Sequence, residues 1–172
     1  MSTHFTLFLY LDLGLSEKFA GLGFAMVQFG SITGRPAWGI ICDRLIGNNK
    51  RKTFVLMGFL FFILTSGLNI LLKKISSGFV ILFSIAFLFG FSGRGWNGLF
   101  FSSISEVVKK SQVGSAIGFS LLFVRVGMLL IPPIFGYIAD INDSYLSSWR
   151  ILGIIIFVIS LIQYLFYLKK SN

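Results

Sequence analysis

The sequence has few of the side chains on which soluble catalysts and metalloproteins depend. Cys42 is its one cysteine and His4 its one histidine, which excludes a disulfide framework and a Cys/His metal cluster; neither a metal nor a cofactor is expected. Charge is scarce as well: 12% of the residues are charged and 55% hydrophobic, too apolar a balance for a chain that must cover a soluble domain with polar surface. Negative charge is scarcest, with six Asp and Glu against 15 Lys and Arg. The resulting charge of +9 does not point to nucleic acid, because the cations fall in short clusters between apolar runs instead of on one surface. No Gly-rich loop is followed by Lys and Ser or Thr, so no ATP-driven step is expected. The N-terminus lacks a basic region and its apolar stretch is broken at Asp12, so no signal peptide is expected.

What is present is a series of long apolar runs, for which the lipid bilayer is the natural solvent. Five spans are expected, over 19–41, 53–72, 78–105, 113–138 and 151–168, preceded by a partial helix over 5–12. Phe5 to Leu11 would cover only about 10 Å as a helix against a hydrocarbon core of about 30 Å, so it reads as the tail of a longer span. Ser16 is the expected N-cap of the first full span. Tyr145, Trp149, Tyr164 and Tyr167 stand near span ends, where amphipathic rings favour the headgroup region. The fold class is therefore all-α, a polytopic transmembrane helix bundle forming one domain over 1–172.

Successive loops fall on alternating faces, five full spans put the segment before Phe19 and the tail after Leu168 on opposite ones, and the cations sort unevenly between the two. One face carries eight, Arg44, Lys50, Arg51, Lys52, Lys109, Lys110, Lys169 and Lys170, and the other four, Lys18, Lys73, Lys74 and Arg150. The bias assigns the C-terminus to the cytoplasm of a multi-pass cell-membrane protein. Pro36-Ala37-Trp38-Gly39-Ile40-Ile41-Cys42-Asp43 and Pro133-Ile134-Phe135-Gly136-Tyr137-Ile138-Ala139-Asp140 share the pattern Pro, any, aromatic, Gly, any, Ile, small, Asp. They close the first and fourth spans at opposite faces, as inverted repeats do in secondary transporters.

Several motifs then resemble the major facilitator superfamily. Gly39 to Arg44 followed by Lys50-Arg51-Lys52 is similar to its signature loop, although Ile46-Gly47-Asn48-Asn49 lengthens it. Arg94-Gly95-Trp96-Asn97-Gly98 resembles the family's fourth-span arginine motif or its counterpart in the second half, with Asn97 at the usual Gln position. Glu106, Gly114, Gly118, Arg125, Gly127, Pro132 and Gly136 resemble its penultimate loop and span. The resemblance covers nearly the whole chain, from the end of the seventh span through the twelfth. It implies the C-terminal half of a gradient-driven carrier that moves a small solute by alternating access, partnered by an N-terminal half and coupled to protons or a counter-solute. The alternative is a truncated fragment that does not transport, or a regulatory one.

Within the spans, no paired carboxylates, histidine cluster or Ser and Lys dyad recurs at matching depth, so no enzyme is expected. Arg94 stands about 18 Å along a helix from Glu106, near the midplane, where a cation needs a partner. An anionic substrate, a carboxylate from elsewhere, helix carbonyls or a clamp between helices would each supply one. Arg125 is placed similarly, beside Gly127, and Arg35 is close enough to Asp43 to snorkel to the interface. Asp43, Arg44 and Glu106 on one face form either an ion-pair gate or a solvated cluster. Gly30, Gly34, Gly90, Gly93, Gly98, Gly114 and Gly118 suit close helix packing, while Pro132 and Pro133 beside Gly136 suit a kink or hinge. Gln28, Asn69, Asn97 and Gln163 either line an aqueous path or bond between helices.

Overall fold

A computed structural model describes residues 2–74 and 79–171, and every element assigned in them is helical. Helix α1, Ser2–Leu7, runs into a π-helical turn, Phe8–Asp12, and stops where Gly14 takes a φ of 61°. Helix α2, Glu17–Ile40, continues through a second π-helical stretch, Ile41–Leu45. Ser16 occupies its N-cap position with extended backbone, but its side chain makes no capping bond. The four residues 46–49 that lengthen the following loop are a compact double cap. Gly47 and Asn48 are left-handed, the Asn48 amide donates to the Cys42 carbonyl at 2.8 Å, and Asn49 Oδ1 accepts from the Lys52 amide as α3, Lys50–Lys74, begins.

The third expected span is not one helix. Its expected start at Gly78 lies outside the described residues, and its body divides into α4, Phe79–Arg94, and α5, Asn97–Val107, with a turn at Gly95 and Trp96 between them. Three glycines among Gly93, Gly95 and Gly98 weaken helical propagation there. Helix α6, Val113–Ile141, passes through Pro132 and Pro133 without a break, and α7, Tyr145–Ser171, follows a turn in which Asp143 has a φ of 48°. Among the described residues, three segments are long and apolar enough to cross a membrane by length and composition: Val80–Val107, Lys110–Ile141 and Tyr145–Phe166. Helix α2 is diluted by Gln28, Arg35 and its glycines, whereas in α3 the cations Lys50, Arg51 and Lys52 precede the uncharged run 53–72.

Two contacts identify which helix ends lie together. Ser144 Oγ donates to Asp12 Oδ2 at 2.8 Å, joining the α6–α7 turn to the end of α1. At the opposite end Lys50 reaches Ser102 and Glu106 near the end of α5. The two Pro-to-Asp repeats therefore finish at opposite ends of the bundle, one on α2 beside Lys50 and the other on α6 beside Asp12.

The helices pack through small residues. A side chain on Gly30 or Gly34 would run into the Phe87 or Phe91 carbonyl of α4, and one on Gly90 into the Val27 carbonyl of α2. Helices α3 and α7 meet the same way, with Gly58 against Ser160 and Gly153 against Thr65. Such close approach maximises van der Waals contact, the main driving force where lipid is as apolar as leucine. Gly114, Gly118 and Gly136 on α6 face open space, so the packing expected of the first two is absent. Above the glycine contacts, an aromatic cluster joins five helices. The Phe135 and Phe89 rings each stand 4.8 Å from Trp149, Phe61 lies 4.9 Å and Phe5 5.0 Å from Phe89. Trp149 is thus fully buried at the centre of a core rather than in the headgroup region.

The two kinds of glycine should respond to Ala with opposite signs. Gly90→Ala is expected to lower unfolding stability by about 1–3 kcal/mol through overpacking against backbone. Gly118→Ala should raise it by about 0.5–1 kcal/mol by removing glycine's flexibility where nothing obstructs a methyl group. Thermal unfolding in detergent, followed by helical circular dichroism, checks both.

Candidate functional site

The candidate site grows out of the α2–α4 contact. Gln28 lies near the middle of Glu17–Ile40 and Arg94 near the middle of Val80–Val107, so the close approach of the two helices brings mid-depth side chains together. Arg94 Nη1 donates to Gln28 Oε1 at 2.6 Å, and Arg94 is exposed on the open side of that seam. The partner is a neutral amide, which satisfies one donor of the guanidinium and leaves its charge uncompensated. Carboxylates are not at hand: Asp12, Glu17, Asp43, Glu106, Asp140 and Asp143 all stand at helix ends or in turns.

The turn at Gly95 and Trp96 shapes the same region. Trp38 Nε1 donates to the Phe91 carbonyl at 2.8 Å, and the two rings pack 5.4 Å apart. A Cβ on Gly95 would stand 2.6 Å from both the Phe91 oxygen and Trp38 Cδ1, so only glycine admits the indole. Asn97, half-buried, is the first residue of α5. The helix N-terminus there adds partial positive charge to a region that already holds Arg94.

Arg35, expected to snorkel, is placed more tellingly by helical register. It follows Gln28 by seven residues, about 10 Å along α2 and on the same stripe, and it is exposed. Its carbonyl is 3.7 Å from a Cβ built on Gly98 in α5. The spacing from Gln28 was the available signal. Arg125 is exposed on α6, and among the described residues no hydrogen bond or ion pair joins it to Arg94.

At the basic end no ion pair among the described residues joins Asp43, Arg44 and Glu106 to one another. Glu106 pairs with Lys50, whose Nζ stands 2.5 Å from Oε1 and donates to Ser102 Oγ at 2.6 Å. Asp43 and Arg44 are exposed and take no part in that pair. Arg51 lines the cleft beside Glu106, and Lys52 is exposed. Gly39 has open space around it. Gln163 lies on α7, well away in sequence from Gln28 and Asn97, and the Asn69 side chain lies outside the described residues. No group of three or more His, Cys, Asp or Glu able to hold a metal occurs among the described residues.

The profile of the family described as Major Facilitator Superfamily matches residues 2–172. Monocarboxylate transporter 1 of Bos taurus is 28% identical over 143 residues, which cover 83% of this chain and 28% of that protein. Monocarboxylate transporter 13 of Rattus norvegicus is 27% identical over 142 residues, 83% of this chain and 32% of the relative. Monocarboxylate transporter 12-B of Danio rerio is 24% identical over 169 residues, 94% of this chain and 35% of the relative. The chain thus spans about a third of the length of the curated relatives it matches. No solved structure matches it.

Two substitutions test the geometry. Trp38→Phe keeps the ring contact but removes the indole N–H, and is expected to cost about 1 kcal/mol in thermal unfolding. A double-mutant cycle of Lys50→Ala and Glu106→Gln should give a coupling of at most about 1 kcal/mol, because the Glu106 side chain is 58% exposed.

Proposed function

The chain belongs to the major facilitator superfamily, and from that premise we propose that it is the C-terminal half of a secondary carrier that moves a small organic monocarboxylate by alternating access. The observation that carries this reading is Arg94, a mid-depth guanidinium held by the neutral Gln28 in a chain whose carboxylates all lie at helix ends. A cation at that depth is costly without an anion. A solute carboxylate arriving at the open side of the seam supplies one, with the α5 N-terminus and Arg35 extending the positive field along it. The names of the relatives fit a carboxylate of single charge.

In this reading an N-terminal half closes over the exposed face of α2, α4 and α6, and Arg125 faces the same cavity from α6. Glu106 and Lys50 form the cytoplasmic latch, with Asp43, Arg44, Arg51 and Lys52 flanking it, and the latch parts when the inner side opens. Pro132, Pro133 and Gly136 serve as the hinge of α6. The driving force is a gradient, with a proton or a counter-solute accompanying the anion. The carrier sits in the cell membrane with its C-terminus in the cytoplasm, as the distribution of Lys and Arg favours.

Uptake of labelled short-chain monocarboxylates into proteoliposomes under an imposed pH gradient tests this. Co-reconstitution of the chain with an N-terminal half should give gradient-driven uptake. Arg94→Gln should reduce it by about 10- to 100-fold, the loss expected for a charge-assisted hydrogen bond of about 1.5–3 kcal/mol. Uptake unaffected by Arg94→Gln would remove the arginine from the substrate path. No uptake with any half or solute would return the chain to a non-transporting membrane protein.

A further inference from the structure

A cavity of about 380 Å³ opens beside the α4–α5 turn, lined by α3 and α7 and separate from the Gln28–Arg94 seam. Its walls are apolar, with Phe54 and Phe61 from α3, Trp96 and Phe100 at the turn and in α5, and Ile159 from α7. Gln163 lines this cavity and also two adjoining clefts, one bordered by Lys50 and Phe100, the other by Arg51 and Lys169. The hollows therefore adjoin at Gln163. From Phe61 to Arg51 the path follows ten residues of α3, about 15 Å along its axis, from mid-depth to the basic end of the bundle.

The chemistry changes along that path. The deep part offers no charge, while the outer part gathers Lys50, Arg51 and Lys169 with Glu106 as the one acid lining the neighbouring cleft, and Glu106 is paired with Lys50. A small soluble anion would leave the apolar depth unused. An extended peptide would find too few partners there for its backbone. A molecule with a long apolar tail and an anionic head matches both ends, and a bilayer surrounds the protein with such molecules.

We infer that this seam binds one anionic phospholipid, its acyl chain in the cavity beside Trp96 and its phosphate between Arg51 and Lys169. The lipid fills a gap in the packing of α3, α5 and α7, and it ties the α4–α5 turn to the charge of the membrane surface. This assignment does not depend on which solute, if any, the protein carries.

Trp96 lines the cavity, whereas Trp38 and Trp149 are buried, so quenching of tryptophan fluorescence by brominated lipid reports on it. The chain is reconstituted in phosphatidylcholine bilayers containing increasing fractions of either brominated phosphatidylglycerol or brominated phosphatidylcholine. Brominated phosphatidylglycerol should quench at a several-fold lower fraction, and Trp96→Phe should remove the difference. Arg51→Gln and Lys169→Gln should each reduce the preference about five-fold, the equivalent of about 1 kcal/mol per cation near the surface, with helical content unchanged. Inorganic phosphate, which has the charge but no tail, should not compete. Equal quenching by the two lipids, a preference that survives loss of both cations, or full competition by inorganic phosphate would each overturn the assignment.

Discussion

The approach of α2 to α4, backbone against backbone, is the constraint on which the rest of the structure depends. Gly30, Gly34 and Gly90 have no Cβ, and the space a Cβ would take is filled by carbonyls of the facing helix. In a solvent as apolar as the side chains themselves, contact area and satisfied polar groups decide which helices associate. The same proximity brings Gln28 to Arg94 and the Trp38 indole to the Phe91 carbonyl. Helices α3 and α7 repeat the device with Gly58 and Gly153 against the hydroxyl side chains Ser160 and Thr65. Both hydroxyls bond back to their own helix carbonyls, so neither is left without an acceptor.

Around these pairs the polar groups are arranged economically. Hydroxyls in mid-helix are turned onto carbonyls three or four residues back, as in Thr33, Ser92, Ser103 and Ser120. The carboxylates are confined to helix ends, where water is at hand. Against that background the mid-helix arginines Arg35, Arg94 and Arg125 stand out, because a charge at those depths is costly without a partner. The interruption at Gly95 and Trp96 stands out for the same reason. A turn in a membrane helix exposes backbone groups, and here an indole from another helix covers one of them.

Much of the fold was legible in the order of residues. The apolar runs, their polar separators and the ends at Asp12, Asp43 and Asp140 follow from comparing run length with membrane thickness. The repeat from Pro36 to Asp43 and from Pro133 to Asp140 marks helix ends that lie at opposite ends of the bundle. Arg94 and Gln28 were each visible as polar residues in apolar surroundings. Less legible were the turn within 78–105, because apolar content is continuous across it, and the burial of Trp149, because an aromatic near a helix end suits an interface as well as a core. The ion pair of Glu106 with Lys50 instead of Arg44 depends on the two left-handed residues Gly47 and Asn48, whose turn sets where α3 starts.

An all-helical, multi-pass membrane protein follows from the order of residues alone, since run length and the positions of charges are properties of the chain read in one dimension. Helix packing in three dimensions sets the rest: Arg94 is held by Gln28, 66 residues away, Gly114 and Gly118 face open space while Gly30 and Gly90 are packed, and Trp149 is a core residue. Those outcomes depend on which helix faces meet, and that choice is made by contacts between residues the sequence keeps far apart.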